Sequence, residues 1–220
     1  MLERRAAPLR EQAVEVMRTA IIRGEFEPGS RMKEKDLEGY LGVSRTVVRE
    51  TLRQLESERL IVLQPGSGPI VARLTYEEAR QLYEVRGALE ATAARLAAKN
   101  ASDEQKRALR VVWDRIDDAA VLDIQELVGI KNDFYATLIN ASGNDIIGEQ
   151  LAGVQARISQ LRAVTLSAAG RTAATKDELD RVVSAIENGD ELAAYEFAHV
   201  HVMVATDIAL TYLSEEDAEQ

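Results

Sequence analysis

At 220 residues and 24.3 kDa, the chain has the size of one large domain or two small ones. Hydrophobic residues are 46% and charged residues 29%, which excludes extended disorder, and the lack of cysteine excludes a disulfide framework, a thiolate zinc site and a cysteine nucleophile. The net charge of −10 is uneven: residues 1–73 hold 13 Lys/Arg against 11 Asp/Glu, so nearly all the acidity falls on the remainder. An acidic body with an arginine-punctuated head fits two domains with different partners, and any contact with nucleic acid must be local. No window approaches about 18 uninterrupted apolar residues. Met1-Leu2-Glu3-Arg4-Arg5 leads into a charged helix rather than a signal peptide, so the expectation is a cytoplasmic chain with no membrane partner.

The first helix runs over about Leu9–Arg23, with Val14, Met17, Ile21 and Ile22 on one face and Gly24 ending it. Glu27-Pro28-Gly29-Ser30 is a turn, and a short helix follows over about Glu34–Tyr40. Leu41-Gly42-Val43 connects tightly to a third helix that Ser44 caps and that ends near Ser57. Leu60–Leu63 and Ile70–Ala72, around the turn Gln64-Pro65-Gly66-Ser67-Gly68-Pro69, make a hairpin.

From Thr75 onward the periodicity is helical throughout. One long helix carries Leu82, Val85, Leu89 and Leu96. Ser102-Asp103-Glu104 opens a second, which reaches about Ala119. Asp123 caps a third, with Leu127, Ile130, Phe134 and Leu138 on its stripe, stopping at Asn140–Asn144. A fourth carries Ile147, Leu151, Val154, Ile158 and Leu161, and a fifth Leu179, Val182, Val183 and Ile186. Asp190 caps the last, which runs to about Leu213. This last helix is apolar on two faces, Ala194, Phe197, Val204 and Ile208 opposite Leu192, Met203 and Leu210, which predicts a place in the middle of the bundle. The fold expectation is therefore mainly α. Residues 1–73 form a winged helix-turn-helix, 74–214 an antiparallel helical bundle for ligand binding and dimerisation, and 215–220 a frayed acidic tail.

In that arrangement the third helix is the reader. Arg45, Arg49 and Arg53 stand four apart and line one face, while Val48, Leu52 and Leu55 pack inward. Ser44 and Thr46 stand at its start, where phosphate and base edges are met first. An arginine row also fits a plain solvated face, so the pattern around it decides. Gly24-Glu25-Phe26-Glu27-Pro28-Gly29, then Leu41 to Leu52, then Leu55-Glu56-Ser57-Glu58-Arg59-Leu60-Ile61 together closely resemble the GntR family of bacterial regulators. The second half, through Val85–Glu90, Ala141–Asn144 and Ala185–Asp190, resembles the effector domain (the FCD type) of that family's FadR branch. The resemblance implies a homodimer on a short palindromic operator in double-stranded DNA, controlled by a small-molecule effector, often a carboxylic acid. It places DNA contacts on Lys35, Arg45, Thr46, Arg49 and Gly66. Lys35 stands where Arg is common and Ser67 where the wing often has a basic residue, so Lys35 offers phosphate no bidentate fork.

Most members of the branch hold a divalent metal with one Asp and three His. The resemblance puts those positions at Lys131, Tyr135, Leu179 and His201, and only the last is a ligand of the expected kind; the expectation is no metal and no cofactor. Lys131 lies near the middle of the Leu127–Phe134–Leu138 stripe, where an ammonium either snorkels out, pairs with a carboxylate or binds an anionic ligand. Tyr135, one turn on, can donate to the same anion. His201 is either a satisfied core residue or a ligand contact. Arg86 and Arg162 flank apolar stripes, with Glu90 a natural i,i+4 partner for Arg86; exposed salt bridges and pocket contacts both fit. His199 has no assigned role. Two other function classes remain in view: a helical-bundle enzyme, and a scaffold with a winged helix that binds protein. No Gly-rich phosphate loop, HExxH or nucleophile with a positioned base supports the enzyme.

Overall fold

The computed structural model describes residues 9–64, 66–117, 124–168 and 170–218. Pro65 of the hairpin turn, the extension of the second bundle helix to Ala119, the cap at Asp123 and residues 1–8 lie outside them. The chain forms two units, Met1–Leu74 and Thr75–Gln220.

In the first unit, α1 (Leu9–Ile22), α2 (Glu34–Leu41) and α3 (Arg45–Ser57) precede β1 (Ile61–Gln64) and β2 (Gly68–Val71). Met17, Leu37, Val48, Leu52, Leu55 and Ile61 are buried at the centre of this unit, which is the inward face expected of α3. Gly42 takes φ 65° and its N–H closes α2 on Glu38, a left-handed geometry that glycine adopts without a Cβ clash. Ser44 occupies the N-cap position of α3, but its side chain makes no capping hydrogen bond, contrary to expectation. β1 and β2 pair antiparallel from Ile61↔Val71 to Gln64↔Gly68, so the turn is tighter than the sequence suggests. The segment before α2 joins the hairpin: Arg31 bridges Ile70, and the Met32 N–H donates to the Pro69 carbonyl.

The second unit contains α4 (Tyr76–Asn100), α5 (Asp103–Asp117), α6 (Ile124–Ser142), α7 (Asp145–Ser167), α8 (Arg171–Glu187) and α9 (Glu191–Ala218). The starts of α4, α5, α7 and α9 are chemically marked. Thr75 and Glu78 form a reciprocal capping box, Ser102 and Gln105 another, and Asn144 and Asp190 each accept a backbone N–H three residues on. Leu109, Phe134, Leu138, Leu151, Leu179 and Ile186 form the centre of the core.

α9 corrects two expectations. Its buried face is not the large apolar set but the small one: Ala194, Ala198, Val202, Ala205 and Ala209, with His201 among them. Leu192 is 67% exposed and Met203 48% exposed, so only one face of the helix is covered. The small residues let α9 lie closely along α4, whose Gly87 faces His199 and Val202 of α9. The segment expected to fray is instead helical as far as Ala218.

Candidate functional site

On the first unit, Arg45 and Arg49 project from one face of α3, with side chains 65% and 55% exposed. Arg53, Thr46, Ser44, Lys35 and Gly66 are exposed too. Sequence reasoning missed the residue that organises this face. The Glu34 carboxylate, at the first position of α2, accepts from Arg45 Nε at 3.0 Å and from Arg49 Nε at 3.1 and 3.2 Å. Burial opposes ionisation of Glu34, but the hydrogen bonds from Arg45 and Arg49 outweigh it and hold the carboxyl below its ordinary range. An acid opening a short helix carries no signal of this, because its partners lie 11 and 15 residues away.

The wing gains a cation the same way. Gly66, Ser67 and Gly68 bring no charge, but Arg31 reaches the tip and donates to the Gly66 carbonyl at 3.3 Å. The α3 face and the wing thus both present cations, the donors that phosphates and guanine edges accept from.

In the second unit, most of the sequence-derived candidates converge on one enclosed space, lined by Arg86, Lys131, Tyr135, Arg162 and Arg171 with Thr165 and apolar Val128, Leu166 and Ala205. Arg86 is not a surface salt bridge. It is 4% exposed, bonds Glu90 through Nε at 2.8 Å and Nη2 at 3.3 Å, and donates to the Tyr135 hydroxyl at 3.1 Å. Its guanidinium lies 5.5 Å from the ring centres of both Tyr83 and Tyr135. Burial works against the guanidinium's charge, but Glu90 together with Tyr135 and Tyr83 more than compensates, and its pKa is raised.

A second ion pair, with its arginine buried and its carboxylate half-buried, was not legible. Arg171 holds Glu178 by two bonds, at 2.6 and 2.8 Å, and His201 Nδ1–H donates to the same carboxylate at 2.5 Å. Burial resists the Glu178 charge, yet these donors hold its carboxyl down to about 2. With Nδ1 carrying the proton, the Nε2 lone pair of His201 faces Lys131 Nζ at 3.4 Å. Burial, then the neighbouring Lys131 charge, pushes the imidazole down to about 3, so it is neutral at physiological pH.

Lys131 is half-buried and pairs with no carboxylate among the described residues; neither snorkelling nor a salt bridge accounts for it. Burial, reinforced by Arg86 and Arg171, pushes its ammonium down to about 7. Arg162 likewise has no carboxylate partner among the described residues; it donates to Asn132 Oδ1. Burial and Arg86 lower its pKa.

These donors do not suit a metal. Lys131 occupies the Nε2 lone pair of His201, the Tyr135 hydroxyl is engaged by Arg86, and Leu179 lies in the apolar core. Among the described residues no three His, Cys, Asp or Glu side chains cluster as ligands. Nor is any helix among them long and apolar enough to cross a membrane.

Comparison with known proteins agrees with this division. Residues 9–71 match the family of bacterial regulatory proteins named gntR, and residues 81–203 match the FCD domain. The Nta operon transcriptional regulator of Aminobacter aminovorans is 28% identical over 176 residues, covering 80% of this chain and 83% of that protein. The HTH-type transcriptional regulator YdhC of Bacillus subtilis is 25% identical over 187 residues, 84% of each chain. Among solved structures, E. coli McbR/YncC superposes with a TM-score of 0.79 at 18% identity, covering 96% of this chain and 99% of its own. A GntR regulator of Rhodococcus gives a TM-score of 0.78 at 23% identity, over 92% and 97%. These two establish the fold. With both domains matched and the relatives regulators rather than enzymes, the chain belongs to the GntR family of DNA-binding transcriptional regulators with an FCD domain.

Proposed function

We propose that this regulator works in the cytoplasm as a homodimer, reads a short palindromic operator through Lys35, Ser44, Arg45, Thr46, Arg49 and Gly66, and changes operator affinity when an anionic metabolite enters the cavity of the helical unit. Two winged heads are needed because one buries too little surface for high specificity. The observation that carries the effector reading is the charge inventory of the cavity. Of its four cations, Arg86 and Arg171 are matched by Glu90 and Glu178, whereas Lys131 and Arg162 have no carboxylate partner among the described residues. Unmatched buried cations are costly, and a ligand carboxylate relieves that cost only when it is bound. Tyr135 lines the site as an orienting group, His201 Nε2 stands 3.4 Å from Lys131 Nζ, and Val128, Leu166 and Ala205 offer an apolar side for a short carbon chain. The free volume is about 20 Å³, enough for a water-sized molecule, so a metabolite enters by moving side chains and the helices that carry them.

A thermal-shift series of organic acids, each beside its neutral amide, tests this reading. A stabilising acid should raise the melting temperature, by about 2.7 kcal/mol of linkage at a hundred times its dissociation constant, and its amide should not. The same acid should change affinity for a duplex that the protein selects from a random-sequence pool. Equal stabilisation by acids and amides would refute the anionic effector.

A further inference from the structure

We infer that Glu34 is a specificity residue of the DNA-reading face, holding Arg45 and Arg49 in position for base contact and penalising DNA that does not engage them. The inference rests on the reading of those two arginines as the base-contacting pair. Three observations support it. One carboxylate, opening α2, receives the Nε–H of both arginines. Both bonds use Nε, and the terminal nitrogens make no other hydrogen bond among the described residues, so the pair that meets guanine O6 and N7 is left free. Arg53, one turn further along α3, makes no hydrogen bond among the described residues, so the three arginines of the row are not equivalent.

A long side chain tethered at Nε has fewer rotamers to lose when its fork docks on a base, which favours the operator. The carboxylate also sets a negative charge beside the phosphates. Non-specific binding is governed almost wholly by phosphate neutralisation, so it bears this repulsion with no base contact in return. Glu34 thus combines an attractive function on the right sequence with a repulsive one on the wrong sequence. Arg53, untethered, is left to meet phosphate.

The test uses the full chain, a duplex selected by the wild type from a random-sequence pool, and an unrelated duplex of equal length, titrated between about 50 and 200 mM salt. Glu34→Gln keeps shape and one neutral acceptor but removes the charge. It should bind the unrelated duplex about threefold more tightly and the selected duplex about threefold more weakly, a loss of about tenfold in discrimination. In the Arg45→Ala/Arg49→Ala background the substitution should no longer weaken the selected duplex, because the clamp has nothing to hold. Discrimination unchanged within about twofold, or tightening on both duplexes alike, would overturn the inference. Normal binding of the selected duplex by the double arginine variant would instead remove the reading on which it rests.

Discussion

Replacing Lys131 by methionine keeps the aliphatic stem and removes the charge, and the cavity geometry sets both the sign and the size of the result. One pKa unit is about 1.4 kcal/mol. An ammonium pushed from its ordinary 10.5 down to about 7 therefore has a ceiling of about 4–5 kcal/mol of buried-charge cost. Lys131 is only half-buried, and solvent screening brings the effective figure to roughly 2 kcal/mol. The substitution also removes the donor to His201 Nε2, which costs about 1 kcal/mol. Below pH 7, Lys131 is charged in both the folded and the unfolded chain, so the whole burial cost is present and methionine should stabilise by about 1 kcal/mol. In the upper part of the interval between about 7 and 10.5 the folded chain has released a proton that the unfolded chain still holds, so wild-type stability rises with pH there. The advantage of methionine should shrink across that window and become a loss of about 1 kcal/mol near its upper end. Urea unfolding of both proteins at several pH values measures this directly. A loss of several kcal/mol at low pH, or a difference that does not change with pH, would refute the reasoning. The variant should also lose its thermal response to a stabilising acid.

Glu90→Gln leaves the Arg86 guanidinium buried without its counter-charge and should cost about 3 kcal/mol in denaturant unfolding. Glu178 contributes stability that is complete above the ordinary carboxylate range and is lost as pH falls from there toward about 2; Glu178→Gln should flatten the acid limb of the stability profile in that window. Purified protein should hold no stoichiometric zinc, nickel or manganese by elemental analysis, and chelator should leave its melting temperature unchanged; one metal per subunit contradicts the donor argument. Arg31→Ala should weaken binding to every duplex and reduce the salt slope by about one, and an unchanged slope would take Arg31 out of the interface.

The reach of the sequence can be judged from particular elements. Thr75, Ser102 and Asp190 are starts that local chemistry announces, because a side-chain oxygen three residues before an N–H is a short-range event. Lys131 was legible as an anomaly, since a charge in an apolar stripe stands out whatever the fold. The Arg171–Glu178–His201 set was not. Arg171 follows Gly170 at the start of a helix, which reads as solvent, and Glu178 meets a histidine 23 residues away. α9 was misread because periodicity weighs a leucine above an alanine, while the tight approach to α4 selects for the smaller side chain. The Glu34 clamp was hidden for the same reason as the Arg171 set: its meaning exists only once α2 and α3 are folded against one another.

The small-residue seam between α4 and α9 also bears on how a signal starts. Gly87, Ala91, Ala94 and Ala98 on one helix and Ala194, Ala198, Val202 and Ala205 on the other are short, buried side chains, and Gly87 packs against His199 and Val202 of α9. Interiors packed this closely move as blocks. Arg86 and Ala205, which line the cavity, are mounted on that block and form an anvil. Lys131 and Tyr135 on α6, Arg162 on α7, and Arg171 on α8 form the opposing jaw. On the proposed effector reading, a ligand larger than a water molecule would spend its displacement on α6, α7 and α8, and the movement that carries the signal would start in the jaw.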